Sequence, residues 1–134
     1  MGAVDILLPA IEDRETQGFF AAAAESRLVY RACDDCRRGI HPPTEHCPHC
    51  GGWNTAWRPA AGTGRLHSWT VVTHQVHPAF PTPYTLVVVE LDDTPDVRLM
   101  GKLDGAPELA EGQAMQVWFE TLEPGVVLPQ WKVA

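Results

Sequence analysis

The stretch that decides the reading is CDDCRRGIHPPTEHCPHC, residues 33–50. It carries every cysteine of the chain: Cys33 and Cys36 in one Cys-x-x-Cys pair, Cys47 and Cys50 in another, with ten residues between the pairs. Two thiolates three positions apart grip one metal ion from a tight turn. A second pair, brought across by a short hairpin, completes a tetrahedral set of four sulfurs. Gly51 and Gly52 after the second pair suit the open backbone such a turn needs, whereas Arg37 follows the first pair where a small glycine is expected. One structural zinc on Cys33, Cys36, Cys47 and Cys50 is the first expectation. A closed four-thiolate site keeps no open position, so it folds the chain without activating water. His41, His46 and His49 lie nearby, but four thiolates already saturate the ion, and these histidines read as solvated loop residues.

Outward from this stretch, the chain of 134 residues is long enough for one domain, or for one domain with a small metal-clipped appendage. Hydrophobic residues at 45% against charged residues at 20% call for a packed core rather than disorder. The formal net charge of −7 points away from nucleic acid and anionic membranes. Residues 1–11 lack the basic start of a signal peptide, and the longest strongly apolar run, residues 86–89, is far too short to cross a bilayer. Together with cysteines confined to Cys-x-x-Cys pairs, this favours a metal site over disulfides and predicts a cytoplasmic protein.

Residues 1–15 are acidic and irregular. Thr16 is placed to cap a helix through GFFAAAAESRL, with Phe19, Phe20, Ala23 and Ala24 on its packing face. LVYRAC predicts a short strand leading into Cys33, and NTAWRPA the strand that closes the cysteine unit. Gly62 and Gly64 predict a hinge into a second body. Beyond it five strands are expected: RLHSWTVVTHQV, YTLVVVEL, VRLMGKL, AMQVWFETL and VVLPQWKV. Gly101 suggests a bulge or close backbone approach, GAPELAEGQ leaves room for one helical turn, and Pro129 confines its strand to an edge. Five short strands with a long first one fit an OB-type barrel best.

Taken together, FFAAAAESRLVYRAC, CDDCRRGIHPP with CPHCGG, GTGRLHSWTVV, HPAFPTPYTLVVVEL and VVLPQW resemble, nearly end to end, the zinc-ribbon/OB-fold family of acyl-CoA-associated proteins, formerly a domain of unknown function. The resemblance implies a mainly β fold in three parts: an N-terminal helical segment (1–27), a rubredoxin-like zinc ribbon (28–62) and a five-stranded OB-fold barrel (63–134). It also implies a small non-catalytic accessory subunit beside a thiolase-superfamily enzyme, of thiolase or retro-aldolase type, in which the partner converts acyl-CoA thioesters and the small subunit stabilises it and helps hold the CoA portion. Arg37 and Arg38 in the ribbon, with Arg58, fit either CoA phosphates or a solvated loop. His77, in a proline-rich loop at a barrel end, is the third CoA-binding candidate. Trp53, Trp57, Phe80, Tyr84 and Trp131 are the candidate aromatic anchors for the partner.

Three rival readings are weighed. Independent catalysis lacks a nucleophile elbow and a phosphate-binding glycine loop. His67 and Trp69 share one strand face with His74 on the other, none beside an obvious partner, and Glu90, Asp92, Asp93 and Asp96 read as solvated turn charges. Nucleic-acid binding, the alternative on fold grounds, meets the wrong sign. From Gly64 onward four basic residues (Arg65, Arg98, Lys102, Lys132) face nine acidic ones, a balance of −5. A rubredoxin-like electron carrier is the second alternative, because four sulfurs also hold iron; CPHCGG resembles such a knuckle and CDDCRRG fits it less well. A dithiol redox role lacks the βαβ setting of thioredoxin-like motifs.

Overall fold

A computed structural model describes residues 6–134. The expected irregular start lies outside the described residues for positions 1–5; residues 6–13 have no regular structure. Helix α1 spans Gln17–Ala24, shorter than the Ala-rich run suggests. Thr16 sits at its N-cap, where its carbonyl accepts from Phe19 and Phe20, but its hydroxyl makes no capping bond. The C-terminus explains the early stop. Ser26 adopts a left-handed φ of +57°, its N–H donates to Ala23 O, and the Arg27 N–H reaches back to Ala22 O at 2.9 Å. This is the Schellman pattern, which turns the chain out of the helix axis. The buried face accordingly includes Ala22 and Ala23 rather than Ala24, which is exposed, while Phe19 and Phe20 are half-buried.

The cysteine unit is a three-stranded antiparallel sheet of β1 (Val29–Cys33), β2 (Gly39–Ile40) and β3 (Thr55–Pro59), in the order β2-β1-β3. Its small core is Cys33, Ile40 and Cys47. Trp57 on β3 ties it to the helix. The indole lies directly over Gly18, 6.5 Å from the Phe19 ring, and the Arg31 guanidinium stacks 5.3 Å from its centroid.

Five strands form the second sheet: β4 (Thr63–Val72), β5 (Tyr84–Leu91), β6 (Arg98–Asp104), β7 (Ala114–Glu123) and β8 (Val126–Val133), antiparallel in the order β6-β5-β4-β7-β8. The burial of β5 alternates at every position, as a strand with one face on a core must. Leu66, Val87, Val89, Leu91, Val97, Leu99, Met115 and Trp131 fill the interior, with Leu28 closing one end. Trp131 is 0% exposed, which removes it from the partner-interface candidates. Its size and its inward register on β8 make it the largest core side chain, not an anchor. Gly101 pairs with Val87 without a bulge and serves close approach instead, since a Cβ there would stand 3.0 Å from Trp131 Cδ1. The bulge falls at His67, where β4 carries one residue more than β5 between Leu66 and Ser68, so His67 leaves the alternation on which its pairing with Trp69 was read. Residues 106–113 hold a turn and no helix.

The two sheets are fastened together. At the junction Gly62, at φ +84°, offers its carbonyl to the Val117 N–H (2.8 Å); just beyond it, inside the second sheet, the Thr63 carbonyl takes the Asp92 N–H (3.0 Å) and Gly64 lies directly against the Glu90 carbonyl. The glycines read as a hinge form a bonded joint. Asp96 and Asp93, read as solvated, are clamps. Asp96 accepts from Arg38 Nη2 and from the Gly39 N–H, both at 3.0 Å, and Asp93 accepts from the Ala61 N–H at 3.1 Å. The Arg38 guanidinium and the Gly39 N–H hold the Asp96 carboxyl below the usual carboxylate range. A folded pKa below the unfolded one supports the fold fully above about pH 4 and loses that support as pH falls through the folded value. Asp96→Asn is therefore expected to lower the midpoint of thermal unfolding at pH 7, with the difference from wild type shrinking towards pH 3. A difference that stays constant across this range would remove the charge from the account.

Candidate functional site

Two turns with the same backbone bonding present the sulfurs. In the first, the Cys33 N–H donates to Arg38 O and the Arg37 N–H donates to Cys33 O, both at 2.9 Å. In the second, the Cys47 N–H donates to Gly52 O (2.8 Å) and the Gly51 N–H to Cys47 O (3.0 Å). Both require a left-handed residue directly after the second cysteine, Gly51 at φ +78° and Arg37 at φ +70°. Arg37 thus occupies a glycine position. Arg37→Gly is expected to stabilise the metal-loaded protein by about 0.5–1 kcal/mol, the strain relieved less the extra chain entropy of a glycine in the unfolded state. Urea unfolding measures it, and a loss of stability would mean that the Arg37 side chain makes contacts that outweigh the strain.

The four sulfurs lie within 4.8 Å of one another, with Cys33 Sγ 3.6 Å from Cys50 Sγ and Cys36 Sγ 3.7 Å from Cys47 Sγ. Four thiolates about 2.3 Å from a tetrahedral ion stand about 3.8 Å apart, so the donor set and its spacing fit one four-coordinate metal. The titration of the thiols makes the same point. Burial pushes the Cys47 thiol up, but the N–H groups of Cys50 and His49 outweigh it and bring it to about 6. Cys50 has the Gly52 N–H to lower it, yet its bond to Cys33 and the neighbouring sulfurs of Cys47 and Cys36 push it up to about 12. Four thiolates this close repel one another, and a divalent ion held among them would let all four stay deprotonated. The histidines stand apart from this set. His46 Nε2 is 2.8 Å from Gly51 O with its ring against Trp53, and His49 Nε2 is 3.2 Å from Gly39 O.

The remaining candidates are dispersed. Arg38 is committed to Asp96, Arg58 to Asp34 at 2.7 Å, and Arg37 has no charged partner among the described residues. His77 Nδ1 accepts from the Ala79 N–H at 3.0 Å and so shapes its own loop, far in sequence from the ribbon arginines. Trp53 is 73% exposed at the ribbon tip, while Trp57, Phe80 and Tyr84 are half-buried. Phe80 and Tyr84 wall a groove of about 860 Å³ on the outer side of β5 and β6, which also receives Phe20, Met100 and Leu128. The sequence reading missed this groove. The signal for it was YTLVVVEL, apolar on both faces, a pattern that calls for cover on each side of the strand.

Comparison with known proteins agrees with both halves. The profile of the ChsH2 rubredoxin-like zinc ribbon domain matches residues 20–54, and that of the ChsH2 C-terminal OB-fold domain matches residues 57–120. A probable enoyl-CoA hydratase alpha subunit of Thermomonospora curvata is 40% identical over 129 residues. That stretch is 94% of this chain but 39% of the relative, so the chain spans well under half of that protein. Among solved structures, a chain of the Ltp2-ChsH2(DUF35) aldolase superposes with a TM-score of 0.82 at 35% identity, covering 93% of this chain and 98% of that one. A DUF35-family protein of unknown function from Sulfolobus solfataricus gives 0.63 at 13% identity, covering 90% and 86%, a likeness of fold alone. With a metal-binding cysteine cluster in the ribbon, a five-stranded OB-fold sheet behind it and a relative matched over nearly its whole length, the chain belongs to the ChsH2 family of zinc-ribbon/OB-fold (DUF35) proteins.

Proposed function

We propose that the chain is a non-catalytic accessory subunit of a thiolase-superfamily enzyme, of thiolase or retro-aldolase type, that acts on acyl-CoA thioesters. The observation that carries this is the match over 98% of a ChsH2 chain from an aldolase assembly, in a protein whose one cluster of metal-ligating side chains among the described residues is closed. Cys33, Cys36, Cys47 and Cys50 hold one zinc, which shapes the ribbon and leaves no coordination position for substrate. Four thiolates around a divalent ion carry two surplus negative charges. Arg38, close to these thiolates, is already paired with Asp96, so Arg37 is the better of the two for an outside phosphate. Trp53, large and mostly exposed, is the first-choice anchor for the partner. The relative named as a hydratase subunit supports acyl-CoA chemistry in the assembly.

The test is affinity recovery of the tagged chain from its native cell, with co-purifying proteins identified by mass spectrometry. Stoichiometric recovery of a thiolase-superfamily protein supports the reading. Recovery of the chain alone or with nucleic acid, or rapid turnover of acyl-CoA thioesters by the purified chain, overturns it. Metal analysis of the same preparation separates one zinc from the iron of an electron carrier.

A further inference from the structure

Strand edges without a neighbour occur at three places in the five-stranded sheet, and they are not equally guarded. β6 and β8 end the strand order and run side by side with no ladder between them. The Gln130 side chain bridges that seam, with Oε1 accepting from the Lys102 N–H at 2.8 Å, and Pro129 on β8 has no N–H to offer. The apolar groove lies over it. On β7 the ladder to β4 stops at Gln116, and beyond the bond from the Val117 N–H to Gly62 its free stretch carries Glu120 and Glu123. Charges so placed keep an edge from pairing with another chain. The third edge is on β4. Its ladder to β7 runs only from Thr63 to Arg65, and Leu66 closes that side by bonding to Gln113 and Gly112. Beyond the bulge at His67 it pairs with β5 alone, as far as Val72. Every residue from His67 to Val71 is exposed, and Ser68–Val72 holds no charge and no proline.

The alternation of backbone bonds says which groups of β4 are left over. The Leu91 N–H goes to Val97 O and the Pro83 carbonyl takes the Gly105 N–H, so the odd-numbered residues of β5 bond towards β6 and the even-numbered ones towards β4. Ser68, Thr70 and Val72 stand opposite Val88, Leu86 and Tyr84 and bond to β5. Trp69 and Val71 therefore point their N–H and C=O groups outward, where no described residue takes them. Their side chains stand opposite Val87 and Thr85, on the core face, yet are 39% and 41% exposed, because the packing of the barrel ends before them. We infer that this edge pairs with the same edge of a second copy of the chain, antiparallel about a twofold axis at Thr70. Residues opposite each other across an antiparallel pair share a face, so a strand paired with itself is centred on a residue. Thr70 lies midway between the two residues that point outward. In this register Trp69 meets Val71 of the second copy and exchanges both backbone bonds with it, Val71 meets Trp69 likewise, and Thr70 meets Thr70 on the opposite face. Aromatic against β-branched and threonine against threonine are favourable cross-strand pairs, and no like charges face each other. The edge is its own complement. The contact is small and each copy carries a net charge of −7, so the dimer is weak, with a dissociation constant on the order of 100 μM. This surface does not rest on the accessory-subunit reading.

Sedimentation velocity of the zinc-loaded full chain is expected to show monomer giving way to dimer as concentration rises to about 1 mM. The dimer is expected to strengthen as added salt screens the negative charge. Val71 gives its N–H outward, so Val71→Pro takes no bond from the β4–β5 ladder. It is expected to leave the chain monomeric at every concentration, with amide-exchange protection of β5 unchanged. Thr70→Lys, at an exposed position, sets like charges opposite each other and is expected to do the same, which keeps the test open if the proline variant does not fold. Cross-linking with glutathione disulfide reads the register. Thr70→Cys is expected to give a covalent dimer, because the Cα atoms of such a non-hydrogen-bonded pair stand about 4.5 Å apart, and Ser68→Cys is expected to give none. A wild-type chain that stays monomeric over this range, a dimer that weakens with salt or survives both edge variants, or equal cross-linking of the two cysteine variants overturns the inference. So does a monomeric chain whose edge variants lose a co-purifying protein, since the edge then belongs to a strand of that partner. Failure to recover a thiolase-type partner leaves the sedimentation result standing, so the two readings fail separately.

Discussion

Cys47→Ser is expected to reduce bound zinc from one equivalent to nearly none and to unfold the ribbon while the barrel persists. Cys47 is fully buried beside Cys33 and Ile40 in a core of its own, separate from the cluster that fills the barrel. A three-stranded sheet with a two-residue strand, β2, buries too little to fold unaided. Its stability comes from the ion, whose binding contributes on the order of 10 kcal/mol in comparable small zinc domains. Metal analysis reads the first half of this expectation. Amide hydrogen exchange reads the second, with protection lost in β1–β3 and retained in β5 and β8. Full metal content with unchanged exchange would mean that the cysteines are not what holds this unit together.

Trp131→Ala is expected to destabilise the barrel by about 3–5 kcal/mol, the cost of a large cavity at a fully buried aromatic. That is much of the roughly 5–15 kcal/mol available to a domain of this kind. The ring is locked in place by β6, since Gly101 allows the backbone to pass against Trp131 Cδ1 and N. Its Nε1 has no hydrogen-bond partner, so Trp131→Phe leaves no acceptor stranded and is expected to cost far less than alanine. Urea unfolding of the two variants checks both. A cost near zero for alanine, or equal costs for the two, would mean that Trp131 is not the centre of the core.

Each clamp in this molecule combines a local signal with a distant partner. Asp96 looked like any acidic turn residue until Arg38 and Gly39, almost sixty positions away, were found on its two oxygens. Trp57 and Trp131 were both large aromatics on strands, with no means in sequence of telling a barrel interior from a surface. Among the five aromatics considered as anchors for a partner, Trp53, beside a glycine pair at the ribbon tip, is the exposed one. The helix stops earlier than Ala, Glu and Arg would favour, because Ser26 turns left-handed and the Ser26 and Arg27 N–H groups bond back to Ala23 and Ala22.

By itself the sequence determined what depends on spacing and periodicity: the metal-binding pairs, the alternation of five strands, the glycine positions and the family. These are local properties, because a Cys-x-x-Cys turn and a period of two are imposed by the backbone within a few residues. Only the tertiary structure decided the rest. It showed that the sheet's edges meet without pairing, that an apolar groove lies over that seam, and which aromatics face outward. These outcomes depend on which distant surfaces meet, and burial is a property of the pair that meets rather than of either residue alone.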